Sequence, residues 1–140
     1  MSASGLTVWT GGCLCGGVRY EIGSPPEPVS FCHCGQCRRQ HSHVGAYAGV
    51  PRAALRLTAA DTLTWYASSG RARRGFCARC GSGLFWEAVD DAERITVTAG
   101  SLDDAPGLRA DRHIMVDCKG SYYEIGADGL ERRTSAGETE

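Results

Sequence analysis

The chain has 140 residues and a formal net charge of −1 at pH 7, so it is long enough for one domain and carries no excess of basic residues. This balance argues against a nucleic-acid backbone or an anionic membrane as a partner, and no apolar run reaches the roughly 18 residues that a membrane span requires. Hydrophobic residues make up 42 %, which is ordinary for a globular protein. The opening residues MSASGLTVWTGG lack the basic start and apolar centre of a secretory signal, so we expect a cytoplasmic protein with no membrane partner.

Short β-strands dominate the elements that the sequence predicts. In chain order, the segments whose apolar, aromatic or β-branched residues fit a strand are 18–22, 44–50, 62–68, 83–89, 94–99, 113–117 and 121–125. Two short helical turns are expected, one after Cys37 through RRQH and one at 51–55. The proline-rich GSPPEP (23–28) and the segment GSLDDAPG (100–107) are expected to be loops. The sequence therefore predicts a mainly β fold with few short helical turns.

Seven of the eight cysteines fall in three tight groups, which are Cys13-Leu14-Cys15, Cys32-His33-Cys34 with Cys37, and Cys77-Ala78-Arg79-Cys80. One short loop can deliver two thiolates to a single ion, so this spacing favours metal binding over a disulfide framework. The C-x-x-C pair that precedes Gly81 is typical of a zinc knuckle, in which glycine permits a tight turn. Iron–sulfur binding is an alternative, but the C-x-C spacings fit zinc better than they fit ferredoxin patterns.

The simplest partition of these ligands is four plus three. Four of them would close a tetrahedral zinc site that joins the N-terminal region to the middle of the chain and stabilises a modest core. These four are Cys13, Cys15, Cys77 and Cys80. The other three would hold a second zinc with a fourth position left to a substrate, as in catalytic zinc sites. These three are Cys32, Cys34 and Cys37.

Other residues could complete the second site and make it structural. Cys118 is the remaining cysteine, although a lone cysteine is more often a small buried hydrophobic residue than a ligand. His41 and His43 follow the cluster closely, whereas His33 alternates with two ligands on a presumed strand and should point away from the metal. An exchangeable fourth ligand would favour an enzyme, and a fourth cysteine would favour a closed structural centre.

Four segments together resemble the GFA-like family, also called the CENP-V/GFA domain. They are GGCLCGGVRYE (11–21), FCHCGQCRR (31–39), GRARRGFCARCGSGLFW (70–86) and RHIMVDCKGSYYEI (112–125). They stand in the family's order, and the match spans residues 7–130. We therefore expect one domain over 7–130, with flexible termini at 1–6 and 131–140.

The resemblance implies an Mss4-like fold of coiled antiparallel β-sheets, stapled by zinc. It also implies two zinc ions per chain, one structural and one catalytic, on the same two cysteine sets that spacing separates. The founding activity of the family implies a carbon–sulfur lyase that joins glutathione and formaldehyde as S-hydroxymethylglutathione. The expected partners are therefore a small thiol and a small aldehyde, or their adduct, with glutathione as cosubstrate.

The residues around the second site suggest how such chemistry would proceed. A zinc ion that carries three thiolates is a weak Lewis acid, so it suits holding an incoming thiol as thiolate. Arg38 and Arg39 follow the cluster and are predicted to hold a glutathione carboxylate, although a solvated surface pair explains them as well. Arg71, Arg73 and Arg74 are interpreted as a solvated strand face.

A second function from a different class stays open at the sequence level. A zinc-stabilised domain can serve as a non-catalytic binding module for a protein or nucleic-acid partner, because a fold alone fixes no activity. The net charge of −1 and the lack of a long basic stripe argue against nucleic acid. We therefore favour the enzyme, with Cys32, Cys34 and Cys37 as its catalytic metal ligands.

Overall fold

Residues 8–139 are described by the computed structural model, and over them the chain forms eleven strands and one α-helix. The strands are β1 (Trp9–Gly12), β2 (Val18–Ile22), β3 (Val29–Cys32), β4 (Gly45–Pro51), β5 (Leu55–Ala60), β6 (Leu63–Ala67), β7 (Ala72–Cys77), β8 (Gly83–Ala88), β9 (Arg94–Thr98), β10 (Ala110–Ile114) and β11 (Glu131–Arg132), and the helix is α1 (Gly35–His41). Short 3₁₀ turns cover Arg52–Ala54, Ala99–Ser101 and Val116–Cys118. The prediction of a mainly β fold is confirmed.

The strands form two sheets. A three-stranded sheet has the order β1-β2-β5, and an eight-stranded sheet has the order β11-β10-β3-β4-β9-β8-β7-β6. The large sheet is mixed rather than purely antiparallel, because β10 runs parallel to both β3 and β11. Parallel neighbours need a long connection, and the chain between β3 and β10 supplies one that contains most of the sheet.

The core follows from the alternation of apolar residues along the strands. On β2, Val18, Tyr20 and Ile22 are buried while the residues between them are half-buried, as a strand with one face on the core requires. Leu84 and Val97, from neighbouring strands of the large sheet, are fully buried in the same cluster. Burying such a side chain stabilises the fold by about 1.5–3 kcal/mol.

Two predicted strands differ from the structure. Residues 121–125 form no strand, because Tyr122 and Tyr123 pack instead against the ring of His43. The segment predicted at 113–117 lies earlier, at Ala110–Ile114, because Met115 adopts a φ of 58° and ends the strand. The aromatic residues of this segment fit the pattern of a strand, but in the structure their side chains pack in a tertiary cluster with His43.

The chain ends bear on the predicted domain boundary. Residues 1–6 of the expected flexible termini lie outside the described residues. Beyond position 130, Glu131–Arg132 pairs with β10, and the Ser135 N–H donates to the Asp117 carboxylate at 2.7 Å. The sheet thus continues past 130, and the boundaries of the domain stay a prediction.

No helix in the described part of the chain has both the length and the apolar character that a membrane crossing requires.

Candidate metal centres

One group of cysteines joins two tight turns at one end of the fold. Cys13 and Cys15 lie in the turn between β1 and β2, and Cys77 and Cys80 lie at the end of β7 and in the turn that follows. Gly81 has a φ of 82°, and its N–H donates to the Cys77 carbonyl at 2.8 Å, as expected of a zinc knuckle. The structure thus brings together the four cysteines that the spacing grouped.

The geometry of this four-cysteine cluster fits a tetrahedral metal. All four sulfurs lie within 4.8 Å of one another. The Sγ atoms of Cys13 and Cys15 are 3.7 Å apart, and those of Cys15 and Cys77 are 3.6 Å apart. Four sulfurs at a Zn–S distance of about 2.3 Å would be separated by about 3.8 Å. The donor set and its spacing therefore suit zinc.

Hydrogen-bond donors lie close to several of these sulfurs. The backbone N–H of Val18 donates to Cys13 Sγ at 3.2 Å, and the Arg79 Nε–H donates to Cys15 Sγ at 3.3 Å. A hydrogen bond from the Ser82 hydroxyl lowers the pKa of Cys80 to about 5. Metal ligation requires thiolates, so this environment suits binding.

The second group lies where β3 gives way to α1. Cys32 is the last residue of β3, Cys34 is the N-cap of α1, and Cys37 lies in the first turn of the helix. The three sulfurs lie within 4.8 Å of one another. Hydrogen bonds from the Cys32 and Cys37 thiols lower the pKa of Cys34 far below its usual range. Three clustered thiols of this kind also suit zinc.

The three-cysteine cluster borders a cavity of about 410 Å³. Its wall combines the three sulfurs with the apolar side chains of Trp86, Ile114 and Met115 and the charged groups Glu27, Arg74, Arg94 and Arg112. A volume of this size falls in the range of small-molecule sites. The four-cysteine cluster contributes no residue to this cavity.

The candidates for a fourth ligand lie elsewhere among the described residues. Cys118 is exposed and belongs to neither cluster. The His41 ring contacts the Tyr47 hydroxyl, and His43 Nδ1 lies 2.5 Å from the Tyr122 hydroxyl. The second cluster therefore offers three protein sulfurs and no fourth histidine, cysteine or carboxylate within residues 8–139.

The sequence matches the family model described as glutathione-dependent formaldehyde-activating enzyme, abbreviated GFA, over residues 8–118. The chain belongs to the GFA family. The predicted resemblance is thus confirmed.

Individual relatives cover most of this GFA-family chain. A Halomonas elongata protein, named provisionally as a glutathione-dependent formaldehyde-activating enzyme, is 30% identical over an alignment of 137 residues that covers 87% of this chain and 83% of its own length. An uncharacterised lyase of Schizosaccharomyces pombe is 24% identical over 123 residues, covering 84% of this chain and 85% of its own. A crystal structure of a Rhodobacter sphaeroides protein is 26% identical and superposes with a TM-score of 0.58, covering 67% of this chain and 87% of that chain.

The two arginines predicted to bind substrate do not border the cavity of this GFA-family chain. Arg38 is half-buried on α1 and packs near Gly120, while Arg39 is exposed beside Tyr66 and Ser68. Both project from α1 toward other parts of the surface. Their role in holding a glutathione carboxylate stays a prediction.

Arg74 is one of the cavity residues that were not predicted from the sequence as part of the site. The interpretation of Arg73 and Arg74 as one solvated face is wrong, because adjacent strand residues point to opposite sides. Arg73 is exposed, pairs with Glu87 and lies over the Trp65 ring, whereas Arg74 is 5% exposed and borders the cavity. The signal in the sequence was the two-residue periodicity of β7, which places Arg73 and Arg74 on opposite faces of the strand.

Gln36 lies between Cys34 and Cys37 in the sequence. Its side-chain amide donates to the Ser68 carbonyl at 3.1 Å, and its Oε1 accepts from the Arg74 guanidinium at 3.3 Å. The Gln36 side chain therefore bonds to Arg74 rather than to a ligand sulfur.

On the far side of β3 from the sulfurs, His33 takes part in a buried chain of hydrogen bonds. His113 Nε2 lies 2.8 Å from the Asp128 carboxylate, His113 Nδ1 lies 2.9 Å from His33 Nε2, and the Tyr123 hydroxyl lies 2.6 Å from His33 Nδ1. Burial lowers the pKa of His33 to about 4, consistent with a neutral ring. His33 thus points away from the cluster, as predicted, and fastens the 119–128 segment to β3.

Proposed function

We propose that this protein is a zinc-dependent carbon–sulfur lyase-type enzyme that acts on a thiol–aldehyde adduct such as S-hydroxymethylglutathione. Its membership of the GFA family and the lyase name of a relative support the reaction class. The observation that carries the proposal is the cluster of Cys32, Cys34 and Cys37 on the wall of the 410 Å³ cavity. A metal held there would face a space in which a small molecule fits.

In this proposal the two cysteine clusters have different tasks. Zinc held by Cys13, Cys15, Cys77 and Cys80 is structural and staples the β1–β2 turn to the end of β7 in an Mss4-like fold. Zinc held by the three-cysteine cluster would keep an incoming thiol as thiolate, which is its reactive form. Cytoplasmic conditions suit both centres, since a reducing compartment keeps all eight cysteines available as thiols.

The cavity provides for the rest of such a substrate. Glutathione carries two carboxylates and one ammonium group. Arg94 and Arg112 line the cavity and offer guanidinium donors to carboxylates. Glu27 accepts from Arg94 through Oε1 at 2.6 Å and offers its other oxygen to the ammonium group. The apolar side chains of Trp86 and Met115 limit the water near the reacting carbon.

The proposed reaction balances without an oxidant or a reductant. In the direction of adduct formation, the thiolate sulfur attacks the aldehyde carbon and a carbon–sulfur bond forms. The carbonyl electron pair moves to oxygen, which takes up one proton to give the hydroxymethyl thioether. The reverse direction breaks the same bond and returns the proton to the solvent. The protein contributes by orienting the two reactants so that the step becomes effectively unimolecular.

The test measures exchange at equilibrium, because glutathione and formaldehyde also combine without a catalyst. Magnetisation-transfer NMR with ¹³C-formaldehyde gives the rate of exchange between the hydrate and the adduct. The zinc-loaded protein should raise this rate in proportion to its concentration, and Cys34→Ser should not. A wild-type protein with two zinc ions that leaves the exchange at its uncatalysed rate, with glutathione and with smaller thiols, would contradict the proposed activity.

A further inference from the structure

Within residues 8–139, Arg74 is a buried charge without a carboxylate partner. Its side chain lies on β7 with 5% of its surface exposed, and no carboxylate oxygen of residues 8–139 lies within 4.0 Å of its guanidinium. Burial of a charge is costly unless an opposite charge or several hydrogen bonds compensate it. A compensating group must therefore lie close to this guanidinium.

The contacts of Arg74 point to the three-cysteine cluster. One terminal nitrogen donates to the Tyr47 hydroxyl at 2.8 Å, and the other lies 3.3 Å from Gln36 Oε1 and 3.8 Å from Cys37 Sγ. Its Nε has no hydrogen-bond partner within the described structure. Tyr47 and Gln36 are neutral acceptors, so among the described contacts of the guanidinium the group that would carry negative charge is Cys37 when it binds a metal as thiolate.

The charge of the centre matches this arrangement. Three thiolates exceed the charge of a divalent cation by one, so the loaded cluster carries a net charge of about −1. An added thiolate would bring the net charge to about −2. A fixed positive group beside Cys37 lowers the free energy of both of these negatively charged states.

The four-cysteine cluster provides a contrast within the same molecule. Its arginine, Arg79, also donates to a ligand sulfur, at 3.3 Å from Cys15. Arg79 is exposed, so water screens its charge, whereas Arg74 is buried and its charge acts at a lower effective dielectric constant. The two arginines therefore differ in the strength with which they act on their centres.

We propose that Arg74 is a positioning residue that supplies the counter-charge of the three-cysteine centre, and that it strengthens both metal binding and the binding of an incoming thiolate there. This inference rests on the proposed use of that cluster as a metal centre. Arg74 is not a metal ligand, but in this proposal its charge determines how much negative charge the centre can carry.

The test compares cobalt affinity in three variants. Arg74→Gln removes the charge but keeps N–H donors for Tyr47, and Arg74→Lys keeps the charge. Arg71→Gln is the matched control, because Arg71 is exposed and its loss changes the net charge of the chain equally. Titration with Co²⁺ against a competing chelator gives both affinities, since centres with three and with four sulfurs differ in their ligand-field spectra.

Arg74→Gln should weaken cobalt binding at the three-cysteine centre by about tenfold or more and leave the four-cysteine centre unchanged. Arg74→Lys should recover most of the loss, and Arg71→Gln should behave as wild type. The spectral shift caused by 2-mercaptoethanol, a thiol without a carboxylate, should need a higher concentration in Arg74→Gln. An affinity at the three-cysteine centre within twofold of wild type would overturn the proposal, as would an equal loss in Arg71→Gln.

Arg74→Met serves as a second uncharged variant should the shorter amide prevent folding, and the same affinity limits apply to it. The result of this affinity test can be distinguished from the result of the exchange experiment that tests the proposed activity. A wild-type protein that binds two cobalt ions without accelerating the exchange contradicts the activity alone, because the affinity comparison needs no turnover. A wild-type protein that binds one cobalt ion overturns both.

Discussion

The sulfur of Cys34 accepts a hydrogen bond from the backbone N–H of Cys37 at 3.3 Å, so one side chain both caps α1 and belongs to the three-cysteine cluster. An N-cap side chain satisfies a backbone donor that the first helical turn leaves unpaired. The short helix and the cluster are therefore built as one unit. This relationship allows metal binding to be separated from folding by mutation.

Replacement of Cys34 by serine should remove one metal and keep the fold. Serine is a strong N-cap, so α1 should persist, but its hydroxyl is a poor zinc ligand. Metal analysis should return about one zinc per chain instead of about two. The circular dichroism spectrum should match that of wild type. Retention of two zinc ions would show that Cys34 is not a ligand.

Replacement of Cys77 by serine should prevent stable folding. Cys77 is fully buried at the end of β7, and its cluster joins two distant parts of the chain. Structural zinc sites contribute folding free energy directly, so the variant should be insoluble or lose its cooperative thermal transition. Cys118→Ser is the matched control, because Cys118 is exposed and outside both clusters. Equal stability of the two variants would rule out a structural role for the four-cysteine cluster.

Gly45 lies against the second cluster and should not tolerate a side chain. A Cβ at this position would lie 2.6 Å from the Tyr47 ring and 3.2 Å from Cys37 Sγ. Gly45→Ala should destabilise the protein by about 1–3 kcal/mol and weaken metal binding at the three-cysteine centre. Gly70→Ala, where a Cβ meets nothing within 4 Å, should change neither quantity. Urea unfolding and zinc competition measure them, and a Gly45→Ala protein equal to wild type in both would refute the close approach.

The ion pairs of Glu87 should make stability depend on pH. Burial alone would raise the pKa of Glu87, but hydrogen bonds from Arg73 and Arg52 hold it below its ordinary value of 4.5. A lowered pKa in the folded state means that these pairs stabilise the protein fully above about pH 4.5, and that the stabilisation is lost as the pH falls through the folded pKa.

Glu87→Gln should therefore cost about 1–2 kcal/mol at neutral pH, a value kept small because both arginines are partly exposed. Urea unfolding of both proteins with saturating zinc gives the difference between their free energies of unfolding. Metal release at acid pH affects both proteins equally and therefore cancels in this difference. The difference should shrink as the pH falls below about 4.5. A difference that grows on acidification would contradict the assigned ion pairs.

The sequence predicted most of what the cysteines do in the fold. The short spacings grouped neighbouring cysteines, and the simplest partition of these groups into four and three is the one that the structure brings together. The position of His33 between two ligands followed from the same alternation. The mainly β fold could be predicted because residues such as Val18 and Ile22 alternate with half-buried neighbours.

The cavity wall could not be predicted in the same way. Arg94 and Arg112 reach the cavity only because β9 and β10 are placed beside β4 and β3 by pairings between distant parts of the chain. Arg38 and Arg39 are near the cysteines in sequence, but the helical turn carries them away from the cavity. Closeness in the sequence was enough to predict the cysteine ligands. The charged residues around them come from distant parts of the chain and are brought together only by the fold.

Sulfur coordination at zinc tests the central claim most directly. X-ray absorption at the zinc edge should give an average of about 3.5 sulfurs per zinc in the protein with two ions, and about 4 after addition of glutathione. The rise would follow from a thiolate that joins Cys32, Cys34 and Cys37. An unchanged sulfur count on addition of glutathione, or a single zinc ion per chain, would contradict the account.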